Sequence, residues 1–97
     1  MPKGYWIGHV DVHDPAAYEA YRAANAEAFT KYGGRFLVRG GAQEVVEGGM
    51  RARAVVIEFD TIEAARACYE SPEYQRALAL RLPVSSADLV IVEGWDG

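Results

Sequence analysis

The sequence predicts an α+β fold of the order β-α-β-β-α-β, a four-stranded antiparallel sheet with its helices on one face. Four stretches of strand length and strand composition carry this: Gly4–Val12, Arg35–Gly40, Arg53–Phe59 and Asp88–Trp95 are rich in β-branched and aromatic residues. Between them, two segments open on helix-capping residues and continue with apolar positions three and four apart. Glycine pairs at 33–34, 40–41 and 48–49 punctuate the boundaries.

In the first strand, Tyr5-Trp6-Ile7-Gly8-His9-Val10 has the composition of a strand covered on both faces. Asp14-Pro15 then supplies an N-cap and a proline at the first helical position, where its missing N–H costs nothing. The helix carries Tyr18, Tyr21, Asn25, Phe29 and Tyr32 on one stripe, with Asn25 the polar exception. Gly33 ends it as a left-handed cap, and Gly40-Gly41 frees the next strand's end for a bend or a close backbone approach. A weaker apolar piece follows at Glu44–Glu47, and Gly48-Gly49 marks a turn before the third strand. Asp60 with Glu63 three residues on reads as a capping box for a helix through Ile62, Ala65 and Tyr69. Ser71-Pro72-Glu73 reads as a fresh cap for a short third helix bearing Tyr74, Ala77, Leu78 and Arg81, ended by Pro83. This order is the split βαβ, ferredoxin-like arrangement, in one domain spanning residues 1–97.

Alternation along each strand sorts its side chains into two faces. One set, Trp6, Gly8, Val10, Phe36, Val38, Val55, Ile57, Phe59, Val90 and Val92, is wholly apolar and suits the helix-covered side. The other holds Tyr5, Ile7, His9, Leu37, Arg39, Ala54, Val56, Glu58, Leu89, Ile91 and Glu93. That second face is too apolar to meet water over its whole area, so a homodimer joined sheet to sheet is expected. A chain of 97 residues buries only roughly 60 to 68% of its unfolded surface, which favours the same conclusion.

Bulk properties remove several function classes. The net charge is −4 and the ten Lys and Arg are scattered among acidic residues, so nucleic acid is not an expected partner. No apolar run is long enough to span a bilayer and the amino terminus lacks an export signal, so no membrane partner and a cytoplasmic location are expected. The single cysteine, Cys68, excludes an intrachain disulfide and reads as an inert buried thiol. His9 and His13 straddle a strand end, so no metal is expected, and no nucleotide cradle or nucleophile elbow is present, so neither is a cofactor.

Two groups of polar residues remain. On the second sheet face, Arg39 either pairs with Glu58 or Glu93 and sets dimer register, or holds an anionic or carbonyl-bearing ligand with its forked donors. His9, Glu58 and Glu93 are the acid/base candidates there. On the helix side, Tyr21, Asn25, Tyr69 and Tyr74 form either an aromatic core layer or the polar groups of a small pocket. By strand parity the two groups share one site only at an end of the sheet, near Gly40 or the Ser71-Pro72 break.

The strings Gly4-Tyr5-Trp6-Ile7, Lys31 through Gly41, Val55-Val56-Ile57-Glu58-Phe59, Cys68 through Gln75 and Ile91-Val92-Glu93-Gly94 together resemble the small bacterial family known as domain of unknown function 1330, among the dimeric α+β barrels. Family members commonly have Pro-Ser where this chain has Asp60-Thr61. The resemblance implies a ferredoxin-like protomer that dimerises through its sheet, and it brings no accepted activity. Wider relatives include cofactor-independent monooxygenases, dechlorinases and isomerases of small aromatic or lactone-like compounds, an analogy of fold alone. The leading expectation is therefore binding or turnover of a small organic acid or carbonyl compound in an internal pocket. The competing ones are a non-enzymatic dimeric module and a cofactor-independent oxygenase acting on a small aromatic; the residues assign no reaction and no substrate.

Overall fold

The computed structural model describes residues 1–97 and places β1 at Gly4–Val12, α1 at Pro15–Tyr32, β2 at Arg35–Arg39, β3 at Arg53–Phe59, α2 at Ile62–Glu70, α3 at Pro72–Arg81 and β4 at Ser85–Glu93. A one-turn 3-10 segment, Leu82–Val84, holds Pro83 and leads into β4, which begins before the expected Asp88 and stops short of Trp95. The sheet order is β2-β3-β1-β4 with every neighbouring pair antiparallel, the ferredoxin-like α+β arrangement.

Local chemistry accounts for most boundaries. Asp14 Oδ1 accepts from the Ala17 N–H at 3.1 Å to start α1. Gly33, at φ 75°, closes it by donating its N–H to the Phe29 carbonyl. Ser71 Oγ accepts from the Tyr74 N–H at 3.1 Å and donates to the Cys68 carbonyl at 2.6 Å, so one hydroxyl ends α2 and begins α3. The cap of α2 is Thr61, whose Oγ1 accepts from the Ala64 N–H at 3.0 Å, and not Asp60 as expected. Asp60 lies one residue too early, and its carboxylate pairs with Arg35 at 3.4 Å.

Two face assignments differ from simple alternation. A bulge in β2 sets Phe36 opposite Ile57 and Val38 opposite Val56, so Leu37 adds one residue and reverses the parity beyond it. Arg39 therefore stands opposite Val55 and points to the helix side, while Val38 turns outward. In β4 the ladder sets Leu89 opposite Gly8 and Ile91 opposite Trp6, so these two pack on the core and Val90 and Val92 are the outward, exposed pair. Both alternating sets of β4 are apolar, which is why hydropathy alone does not choose between them.

The core lies between sheet and helices around Trp6, whose ring meets Phe29 at 5.2 Å and Tyr74 at 4.8 Å, both edge to face. Its indole N–H donates to the Ala65 carbonyl at 2.8 Å and pins α2 to β1. The opposite sheet face has no covering layer within the chain: the Cα atoms span 38 × 36 × 16 Å, and Ile7, Val38, Val90 and Val92 are exposed there. The apolar piece at Glu44–Glu47 joins no strand; residues 41–52 make an irregular, largely exposed connection, secured where Arg51 binds Asp11 at 2.9 Å and Asp88 at 3.0 Å. No helix is long and apolar enough to cross a membrane.

Candidate functional site

A cavity of about 50 Å³, counted as the space in which the centre of a water molecule can sit, opens between α1, α3 and the sheet. It lies toward the end of the sheet where β1 finishes and β3 begins, since Val10 and its ladder partner Arg53 both line it. Aromatic rings make much of its wall: Trp6, Phe29 and Phe36, with Tyr18, Tyr21 and Tyr74. The helical stripe read from the sequence delivers the α1 members of this set, because residues three and four apart share a face.

Four of the five charged residues in the lining are cationic. Arg22, Arg39, Arg53 and Arg81 all contribute, drawn from α1, β2, β3 and α3. Arg22 is committed to Glu19 at 2.8 Å, but no carboxylate lies within 4.0 Å of Arg39, Arg53 or Arg81. The single acid in the lining, Asp88, stands opposite His9 in the ladder and is bound by Arg51. Arg81 is only 7% exposed, with its guanidinium 5.6 Å from the Tyr21 ring centre. Burying a charge with no opposite charge beside it is costly, so the arrangement is unfavourable for the protein alone. Arg53 stands 5.9 Å from the Tyr18 ring and Arg39 4.2 Å from the Phe36 ring, so flat rings carry three of the cations.

Two further features belong to this lining. Asn25, 4% exposed, has an Oδ1 with no hydrogen-bond partner, a buried acceptor of the kind that proteins rarely leave unmet. The Tyr21 and Tyr74 hydroxyls hydrogen-bond each other at 2.9 Å. Burial, then the Tyr21 hydroxyl beside it, pushes the Tyr74 phenol far above its ordinary range, and burial likewise raises Tyr18. Both phenols stay protonated, and in the Tyr21–Tyr74 pair either hydroxyl can donate to the other. No carboxylate or imidazole other than Asp88 lines the cavity, so the pocket offers cations and donors with no ordinary general base.

Of the residues expected from the sequence, Tyr21, Asn25, Tyr74 and Arg39 come together here, Arg39 through the bulge that reverses its face. Tyr69 does not line the cavity; it packs 5.3 Å behind Tyr74 and 5.7 Å from Trp6. His9 lies on the uncovered sheet face, bordering an open depression with Asp11, Met50, Arg51 and Asp88. Glu58 is also on that side but is bound by Arg35, at 2.9 and 3.2 Å, and by the Tyr5 hydroxyl at 2.9 Å. The Arg35 contacts, then Tyr5, hold its carboxyl below the usual range. The pairing of Arg39 with Glu58 or Glu93 is thus corrected: Arg35 is the partner of Glu58, and Glu93 is exposed at the end of β4. His9, Glu58 and Glu93 are apart from the cavity. Arg22, Arg53 and Arg81 were not picked out as site residues; the legible signal was an arginine within the apolar stripe Tyr74, Ala77, Leu78, Arg81. Cys68 is fully buried and burial pushes its thiol up to about 12.

Solved structures share this fold at low sequence identity. A protein of unknown function from Rhodopseudomonas palustris superposes with a TM-score of 0.77 at 15% identity, covering 99% of this chain and 85% of that one. A cofactor-independent oxygenase from Streptomyces nogalater gives 0.66 at 16%, covering 100% and 97%. A dimeric ferredoxin-like protein of unknown function from Thermobifida fusca gives 0.57 at 21%, covering 95% and 91%. These likenesses establish the fold and nothing of the chemistry. No curated protein matches the chain. A family-wide sequence pattern does match, over residues 3–95, which takes in every strand, all three capped helices and all the arginines of the cavity: the chain belongs to the family described as domain of unknown function DUF1330.

Proposed function

We propose that this protein is a homodimer that binds a small organic acid in the cavity between its helices and its sheet. The observation that carries the reading is the group of three guanidiniums, Arg39, Arg53 and Arg81, gathered around one apolar cavity with no carboxylate within 4.0 Å. At an effective dielectric of about 20, a carboxylate about 4 Å from one guanidinium gains about 4 kcal/mol, from which desolvation and the lost freedom of the ligand are subtracted, so more than one guanidinium is needed for useful affinity. Arg81 would clamp the carboxylate, the Tyr21–Tyr74 pair would donate to it, and the unmet Asn25 oxygen leaves an acceptor for a water carried in with the acid. Turnover is not part of the proposal, because the lining holds no unpaired base.

The dimer is supported by the uncovered sheet face, where Ile7, Val38, Val90 and Val92 are exposed together, and by neighbours from Thermobifida fusca and Bacteroides fragilis described as dimeric. The likeness to the Streptomyces nogalater oxygenase favours a second reading, oxygenation of a small aromatic. Charge argues against it: three guanidiniums without a carboxylate partner suit an anion, and a likeness at 16% identity carries the fold alone. A thermal-shift screen of C2–C4 carboxylates at constant ionic strength tests the proposal. Millimolar acids should raise the Tm of the wild type and leave Arg81→Met unmoved; equal shifts in both would overturn it.

A further inference from the structure

We infer that the ligand is a short dicarboxylate, with one carboxylate on Arg81 at the floor of the cavity and the other between Arg39 and Arg53 at its mouth. This rests on the anion-binding reading above and specifies its charge. The three unpaired guanidiniums are graded in depth: Arg81 is buried, Arg53 is half-buried and Arg39 is exposed. They are also spaced along one wall. Arg81 stands over the ring of Tyr21 and Arg53 near the ring of Tyr18, and these two rings lie 5.3 Å apart on α1.

A monocarboxylate neutralises one of three cations and leaves the rest facing an apolar wall, whereas a dianion leaves one, the most exposed. Size agrees. A cavity needs roughly 10–15 Å³ by the same measure to hold one water, so about 50 Å³ admits a carboxylate and a carbon or two. The second carboxylate of a C3–C4 diacid then falls at the mouth. Gly40, at φ 71°, leaves the room that Arg53 occupies there, since a Cβ on it would overlap the guanidinium.

Calorimetric titration of the full chain with malonate and succinate, against propionate and butyrate at equal ionic strength, tests this. The diacids should bind at least tenfold more tightly, about 1.4 kcal/mol. Arg53→Gln and Arg39→Gln should each reduce that preference, weakening malonate and succinate severalfold more than propionate and butyrate. Monoacids binding as tightly as diacids would overturn the dicarboxylate and leave the anion pocket standing. Inorganic phosphate binding as tightly as malonate would overturn it in favour of a compact dianion at one point. Binding of neither acid class would remove the anion-binding reading as well.

Discussion

Arg81 matters most, because it is a buried residue with no counter-charge beside it in its own chain. Its removal should therefore affect stability and binding in opposite directions. Arg81→Met keeps the apolar stem and abolishes the charge, so the ligand-free protein is expected to gain about 1 kcal/mol, a Tm rise of about 4–8 °C, at fixed protein concentration. A fall in Tm would mean that Arg81 is a structural strut and not a binding group. Glu58 is the opposite kind of residue, a carboxylate paired with Arg35 and Tyr5. Its pKa is lowered in the folded state, so its contribution is present above the ordinary carboxylate range, about pH 4.3, and is lost as pH falls through the folded value. Melting curves of wild type and Arg35→Gln should differ at pH 7 and draw together as pH falls below the ordinary carboxylate range; a constant gap would show that the pair does not set the acid limb. For Cys68 the shift is upward, so its contribution is intact below about pH 9 and is lost as pH rises toward about 12.

At the scale of elements, caps and turns were legible in the sequence because each depends on two or three adjacent residues. Asp14-Pro15, Gly33 and Ser71-Pro72 all act where their chemistry places them. The α2 cap was misplaced by one residue, since Asp60 and Thr61 are both good caps and only the backbone decides. Thr61→Ala should therefore cost about 1 kcal/mol in thermal denaturation and Asp60→Ala much less; the reverse order would restore the capping box. What alternation does not encode is a bulge. One extra residue at Leu37 moves Arg39 across the sheet, and no local property of Arg35-Phe36-Leu37-Val38-Arg39 announces it. The site was half legible for the same reason: Tyr21, Asn25 and Tyr74 follow from helical spacing, while Arg39 and Arg53 need the register. Gly40 deepens the contrast. Gly40→Ala should lower the Tm and weaken anion binding by displacing Arg53, whereas Gly41→Ala, with open space around it, should do neither.

At the scale of the molecule, the helix layer covers one side of the sheet and leaves the other apolar and bare, and the proposed second copy covers it. Because Arg39 faces the helices, Arg39→Ala is expected to leave the sedimenting species at twice 10.6 kDa while weakening acid binding. Val90→Asp, on the bare face, should do the converse, with the wild type and the Arg39 variant as the dimeric references. The central claim is that the uncompensated arginines make an anion pocket on the helix side. A crystal of the protein grown with malonate tests it most directly. Density for the acid between Arg81 and the Arg39–Arg53 pair, walled by Tyr18 and Tyr21, is the result the account predicts; an empty cavity with malonate bound only on the bare sheet face beside His9 and Arg51 would contradict it.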